Sequence, residues 1–288
     1  MLLRRLFLAA FLVAACRPSG RPAAGPSITD DAGRTVSLPA PATRVVSLLP
    51  SFTEILFAIG AGPTVVGRTT WCDYPPAARA VPSVGDGLPP NVEAVAARRP
   101  DLVVLYHSTV NVTAAQQLEG IGIRTVLLDL NRLEDLGPAA RRLGRLTGLE
   151  RRADSLARAM DSVLHQPPPT STTSTSLAFI VWDNPPIIIG AGSYLHQLAE
   201  RAGARNVFAD VAAPSAQVSL ESIAVRDPHW VGVLADSAVP PGFAARREWR
   251  VVRAVREGRI LTLPGTLFGR PGPRSGDAIR ALRARLEP

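Results

Sequence analysis

Short apolar runs alternate with amphipathic stretches along most of this 288-residue chain. Residues 44–49 (Arg-Val-Val-Ser-Leu-Leu) predict a buried strand. An apolar helix follows from Ser51 and stops before Gly60 and Gly62, with Ser51 and Glu54 at capping-box spacing. The same pattern predicts a strand near 64–67, a helix at 92–99, a strand at 101–106, a helix at 112–119 and a strand at 124–129. Strands alternating with helices argue for a parallel sheet covered by helices on both faces.

Residues 132–165 break the alternation. They contain no strand candidate, and Leu136, Leu143, Leu146, Leu149, Leu156, Met160 and Val163 recur at largely helical spacing, interrupted at Thr147-Gly148. A pair of helices is predicted, the second from about residue 150 to 165. Residues 166–176 form a Pro/Ser/Thr segment without periodicity. Alternation then resumes, with strands at 177–182, 229–234 and 259–263 and helices at 194–202, 222–226 and 277–286. The Gly/Pro-rich stretch 265–276 reads as a loop.

Residues 91–103 and 219–231 resemble each other at a constant offset of 128. Each copy has a cap residue (Asn91, Ser219), a Glu in the first helical turn (Glu93, Glu221), a short apolar helix, a Pro breaker and a buried strand. The period is too long for a solenoid unit. It predicts two similar α/β lobes joined by the helical segment, and a cleft between lobes is where small ligands sit.

The amino terminus has a different pattern. Arg4 and Arg5 precede an apolar run at 6–13 that is too short to span a bilayer. Val13-Ala14-Ala15-Cys16 resembles a bacterial lipobox, in which the leader is cleaved before a cysteine that carries diacylglycerol. The alternative is an ordinary signal peptide that contains a Cys. Residues 17–26 read as a Pro/Gly/Ala tether with nothing to bury.

Composition narrows the picture. Hydrophobic residues make up 46% of the chain and no second long apolar run occurs, so a globular body is expected. Net charge is +8, or +6 without Arg4 and Arg5, and every basic residue is Arg. These arginines are interspersed with Asp and Glu rather than gathered in a stripe, which argues against nucleic acid as a partner. With Cys16 lipidated, Cys72 has no disulfide partner and reads as a small buried hydrophobe. No nucleophile elbow, P-loop, HExxH or CxxC occurs. The four histidines, at 107, 165, 196 and 229, are scattered, which disfavours a bare metal-ion receptor.

Several motifs occur in a telling order. Thr29-Asp30-Asp31-Ala32-Gly33-Arg34 precedes Leu49-Pro50-Ser51-Phe52-Thr53-Glu54, Val66-Gly67, Asp73-Tyr74-Pro75-Pro76, Pro82-Ser83-Val84-Gly85 and Asn91-Val92-Glu93. Ser193-Tyr194-Leu195, Ala202-Gly203 and Asn206-Val207-Phe208 follow in the second half. Over residues 28–286 the chain resembles the helical-backbone (class III) substrate-binding proteins of ABC importers, and within them the vitamin B12-binding branch. The resemblance implies an α/β fold of two Rossmann-like lobes with parallel sheets, joined by a long backbone α-helix, with the ligand cleft between the lobes. It also implies a bulky metal chelate as ligand: cobalamin, haem or a ferric siderophore.

The same resemblance singles out residues. Trp71-Cys72-Asp73-Tyr74-Pro75-Pro76 is similar to a segment whose first aromatic lines the corrinoid cleft. Trp182, ahead of Asn184-Pro185-Pro186, stands where the branch has a second cleft aromatic. Phe268 and Arg270, before Pro273-Arg274, match a further stretch near its ligand. Glu93 and Glu221 match carboxylates that meet arginines on the importer's membrane subunits, one on each lobe. The chain departs from the branch at Gly87 and Ser215, where tryptophans are usual, and at Thr266, where an Asp is usual. Asp86 follows Val84-Gly85, where haem receptors of the family carry a Tyr ligand.

The residues also have readings of their own. Trp71 and Trp182 each follow the carboxyl end of a predicted strand, where open α/β sheets bind ligands, and aromatic faces suit a flat macrocycle. The plain alternative is a Trp in the core or at its rim. Glu93 and Glu221 complement the dipoles of their helices. His107 reads as a solvated loop residue or a group near the chelate rim. Arg270 and Arg274 contact ligand groups or are solvated.

The combined reading is a monomeric, extracytoplasmic substrate-binding lipoprotein, anchored through Cys16. It takes cobalamin or a related corrinoid on Trp71, Tyr74, Trp182, Phe268 and Arg270, and docks through Glu93 and Glu221 on a permease with a separate ATPase subunit. A ferric siderophore is the alternative ligand. No catalytic residue, cofactor or metal ligand is assigned. A sensor or scaffold without a transporter, and a hydrolase or chelatase on the same fold, are the readings from other classes. The expected division is signal peptide 1–15, tether 16–27, first lobe 28–146, backbone helix and Pro/Ser/Thr loop 147–176, and second lobe 177–288.

Overall fold

Strands with apolar side chains on both faces must be covered on both faces, and the central strands of this chain are of that kind. The computed structural model describes residues 25–164, 175–236 and 241–286. The leader, Cys16 and most of the Pro/Ser/Thr segment lie outside the described residues.

A hairpin of β1 (Ser27–Thr29) and β2 (Thr35–Ser37) comes first. The first lobe runs β3 (Val45–Ser47), α1 (Pro50–Ala58), β4 (Val65–Arg68), α2 (Val92–Ala96), β5 (Leu102–Tyr106), α3 (Thr109–Gly120) and β6 (Thr125–Leu128). Two helices follow, α4 (Leu136–Thr147) and α5 (Glu150–Leu164). The second lobe begins with β7 (Thr175–Asp183), β8 (Pro186–Ile189), α6 (Tyr194–Ala202), β9 (Ala204–Asn206) and β10 (Ser215–Gln217). It continues with α7 (Leu220–Arg226), β11 (Trp230–Leu234), α8 (Arg253–Arg256), β12 (Ile260–Leu263), α9 (Gly265–Phe268) and α10 (Ser275–Leu286).

The first sheet has the order β4-β3-β5-β6 and is parallel throughout. The second has the order β10-β8-β7-β11-β12, with β9 also on β7. Its β9, β7, β11 and β12 are parallel, and β8 and β10 extend it antiparallel. Side chains alternate between two cores along each strand. On β5, Leu102 and Val104 enter a core shared with α1, α4 and α5, while Val103 and Leu105 face α3. On β7, Leu177 and Phe179 enter that same shared core, while Ala178 and Ile180 face the outer core of the second lobe. One continuous apolar core therefore runs from the first sheet, through α4 and α5, to the second sheet.

The repeat is structural as well as sequential. β5 and β11 begin 128 residues apart, at Leu102 and Trp230. Asn91 Oδ1 accepts from the amide of Ala94 at 2.9 Å, and Ser219 Oγ accepts from the amide of Ser222 at 3.2 Å. Arg99 and Asp227, also 128 apart, end the two helices in left-handed backbone at φ 48° and 44°. Both then lead into a buried proline, Pro100 or Pro228.

The helix break expected at Thr147-Gly148 occurs there, with Gly148 at φ 71° turning the chain from α4 into α5. Other elements differ from expectation. The β1–β2 hairpin was not predicted, since its strands have three residues each. Its turn carboxylates hold it to the lobe: Asp30, buried, accepts from the amides of Arg34 and Leu127, and Asp31 pairs with Arg142 at 2.7 Å. Strands β8 and β10 follow Pro-rich stretches that hid them. Residues 265–268, expected as loop, form one turn of helix.

Both repeat helices are short, so each relies on its cap. Asn91→Ala and Ser219→Ala should each lower unfolding stability by about 1 kcal/mol, the usual worth of a side-chain N-cap. Urea unfolding followed by circular dichroism would measure this. Equal stability in both variants would remove the caps from the account of the repeat.

Candidate functional site

In parallel sheets the carboxyl ends of the strands leave a crevice where the following loops diverge, and ligands gather there. Both lobes present aromatic surface at those ends. Trp71 lies three residues beyond β4 and is 64% exposed; Tyr74, in the same loop, is also exposed. Trp182 occupies the penultimate position of β7 and is 59% exposed, with its indole nitrogen donating to the carbonyl of Asn184 at 2.8 Å. Side chains of this size are normally driven inward, so two exposed indoles at strand ends make these ends the candidate binding surface.

Beside Trp182 is a cavity of about 240 Å³, lined by Asp183, Val233, Leu234, Phe243 and Arg246 among others. Arg246 and Asp183 form an ion pair at its edge. The cavity alone is smaller than the roughly 300–1,000 Å³ of drug-sized pockets. A bulky ligand therefore needs surface from both lobes.

The two lobes meet in a cluster of ions. Glu54, on α1 of the first lobe, is buried, with its side chain 3% exposed. Arg274, in the loop between α9 and α10 of the second lobe, grips it with both prongs of its fork: Nε to Oε2 at 2.9 Å and Nη2 to Oε1 at 2.6 Å. Arg270 lies on the same carboxylate, its Nε 3.0 Å from Oε1. Arg270 also pairs with Asp73 and donates to the carbonyl of Trp71 at 2.9 Å. The Arg274 guanidinium stacks 3.7 Å from the centre of the Tyr74 ring and donates to the carbonyl of Thr266 at 2.6 Å. Burial pushes the Asp73 carboxyl up, but the hydrogen bond and charge of Arg270 outweigh it and hold it below the usual range. Burial works to lower Arg274, and the bond to Glu54 overcomes it, raising the guanidinium further.

These contacts revise three expectations. Glu54 is not the capping-box partner of Ser51: Pro50 opens the helix, Leu49 is its cap residue, and Ser51 is buried inside the first turn. Pro at a first helical position was the sequence signal that could have told this. Phe268 does not wall the cleft. It is fully buried in the shared core, and its carbonyl accepts from the Tyr194 hydroxyl at 2.6 Å. Arg270 is not a free cation awaiting ligand; Glu54 and Asp73 already hold it.

Other singled-out residues fall as follows. Glu93 and Glu221 are both exposed, in the first turns of α2 and α7. Hydrogen bonds from its own amide and from Ser219 hold the Glu221 carboxyl below its ordinary range. Cys72 is fully buried, 3.1 Å from the Thr69 hydroxyl. His107 Nδ1 lies 3.4 Å from Asp129. Among the described residues no group of three or more His, Cys, Asp or Glu could hold a metal ion. Gly87 sits at φ 85°, and a Cβ there would lie 2.7 Å from Thr69 Cγ2, so a tryptophan at that place would be strained.

Known proteins share both sequence and architecture with this chain. The sequence profile of the family described as periplasmic binding protein matches residues 45–267. The ABC transporter substrate-binding lipoprotein YvrC of Bacillus subtilis is 29% identical over 271 residues, 91% of this chain and 85% of that one. A vitamin B12-binding protein of Salmonella typhimurium is 31% identical over 189 residues, 65% of this chain and 70% of that one. Among solved structures, a possible iron-binding periplasmic protein of Staphylococcus epidermidis is 26% identical with a TM-score of 0.72, over 86% of this chain and 99% of that one. A periplasmic heme-binding protein of Pseudomonas aeruginosa is 26% identical with a TM-score of 0.74, over 85% and 92%. Two α/β lobes, exposed aromatics at their strand ends and this match over most of the sequence lead to one assignment: the chain belongs to the periplasmic binding protein family.

Proposed function

We propose that this protein captures a corrinoid between its lobes and hands it to the permease of an ABC importer, whose ATPase is a separate subunit. The observation that carries the reading is the pair of exposed indoles, Trp71 and Trp182, one at the strand ends of each lobe. A corrin is broad, flat and largely apolar, and two aromatic faces give it area at low entropy cost. Vitamin B12-binding relatives support this ligand. A ferric siderophore is the second reading. It is favoured by Gly87, whose backbone disfavours an aromatic that the corrinoid branch uses, and by the structural relative described as a possible iron-binding protein.

In the same reading Glu93 and Glu221 are the docking carboxylates. They stand at equivalent positions of the repeat, exposed, in the first turns of their helices. Cys16 carries the lipid that keeps the protein at an extracytoplasmic membrane surface, and the monomer is the working unit.

Purified protein titrated with cyanocobalamin should lose tryptophan fluorescence, because a corrin absorbs in the emission region and would lie against the indoles. Trp71→Ala and Trp182→Ala should each weaken binding by about thirtyfold, the cost of truncating a well-packed aromatic anchor. Tight binding of a ferric siderophore with none of cyanocobalamin would transfer the assignment to the second reading.

Glu93→Ala combined with Glu221→Ala should impair cellular uptake while the dissociation constant in solution stays close to that of the parent, since rim charges register a partner rather than hold a ligand. Normal uptake in the double variant would remove both residues from the transporter interface.

Cys16→Ser should release lipid-free protein behind a standard cleavable signal. Recovery of the parent protein itself as a soluble, lipid-free form would end the lipoprotein reading.

A further inference from the structure

Three arginines near the strand-end mouths are matched to carboxylates. Arg246 pairs with Asp183 beside Trp182. Arg270 and Arg274 pair with Asp73 and Glu54 beside Trp71 and Tyr74. The side chains of Arg270 and Arg274 are 15% and 18% exposed, while that of Glu54 is 3% exposed. The geometry is that of a buried anion held by two less deeply buried cations.

A free guanidinium is the natural receiver of a ligand carboxylate or catecholate, because its fork matches two oxygens at once. Here the fork of Arg274 is already filled by Glu54, with one bond from each prong. A ligand carboxylate that took this fork would leave the buried Glu54 with Arg270 alone, a charge only partly matched out of water. A ligand rim of neutral amides makes no such demand. It can lie against the paired guanidiniums without separating the ions.

We propose that Glu54 is a specificity-determining residue: by neutralising Arg274 and Arg270 from beneath, it makes the cleft select chelates with a neutral rim and reject those with free carboxylates. This deepens the corrinoid reading and rests on it for the identity of the neutral ligand. The discrimination itself extends to any chelate pair that differs in rim charge.

The test compares two probes in the full-length exported protein: cyanocobalamin, whose rim carries amides, and haemin, whose rim carries two propionates. The parent should prefer cyanocobalamin. In Glu54→Gln the ratio of the two dissociation constants should shift toward haemin by about tenfold or more, the worth of one freed charge-assisted hydrogen bond. Adding Arg274→Gln to that variant should restore the parental ratio, which a purely structural role for Glu54 would not do. An unchanged ratio in Glu54→Gln, or no reversal in the double variant, overturns the proposal. Should Glu54→Gln fail to fold, Asp73→Asn, at a side chain 33% exposed, removes one of the two carboxylates on Arg270 and should shift the ratio in the same direction by a smaller factor. No shift there overturns the proposal equally. Ferrioxamine B and ferric dicitrate form a second pair. If the parent ignores cyanocobalamin yet prefers ferrioxamine B over ferric dicitrate, and Glu54→Gln narrows that preference, the corrinoid reading fails and the charge rule stands.

Discussion

A carboxylate taken out of water must find cations or become protonated, and Glu54 finds its cations on the other lobe. That constraint ties the molecule together across its cleft. Glu54 is on α1, directly after β3 of the first sheet, while Arg270 and Arg274 follow β12 of the second. Desolvation costs several kcal/mol per ion, and good geometry roughly repays it, so the cluster adds little to net stability. Its asymmetry matters more. Removing one partner from a buried pair typically costs about 3–5 kcal/mol, because the other charge is stranded. The ion cluster is thus a condition on how the lobes may sit rather than a reserve of stability.

The apolar core imposes a second condition in the same direction. Leu102, Val104, Val126 and Leu128 of the first sheet share one core with Leu177, Phe179, Leu261 and Leu263 of the second, through α4 and α5. Many ligand-binding proteins with two lobes are joined by loose strands that act as hinges. Here the connection is a packed helix of 15 residues, about 22 Å long at the helical rise, buried along one face by Ala153, Ala157, Met160 and Leu164. Swinging the lobes far apart would tear that shared core. Small displacements at the cleft mouth are compatible with it.

How much of this could be read from sequence follows from where the signal resides. Strands with two apolar faces and helices with a period near 3.6 carry their evidence locally, so β5, α6, β11 and the α4–α5 pair were legible, as was the 128-residue repeat that makes the lobes similar. The β1–β2 hairpin was not, because three-residue strands carry no period; it is held by Asp30 and Asp31 acting on residues about a hundred positions away. Trp71 and Trp182 were legible as candidates from their places near strand ends, and of the two readings open in sequence, core or surface, both take the surface one. Phe268 was misread because resemblance locates a residue in the chain but not the side it faces. One turn of helix, α9, turns it into the core. Glu54 was misread for a related reason. Capping is a local pattern and pairing with Arg274, 220 positions on, is not.

The last link joins the ion cluster to the aromatic surface. Arg270 donates to the carbonyl of Trp71, and Arg274 stacks on Tyr74. The second lobe therefore holds the loop that presents the first lobe's aromatic face. A loop fixed by charge-assisted bonds on its carbonyl and on Asp73 loses less freedom when a ligand arrives, so more of the contact energy appears as affinity. In the proposed reading the same bonds couple two roles of the cluster: a ligand charge that competed for Arg270 or Arg274 would also loosen Trp71 and Tyr74. In the proposed reading, discrimination by charge and pre-organisation of the aromatic face both follow from one arrangement, in which a carboxylate buried in one lobe is answered by two arginines from the other.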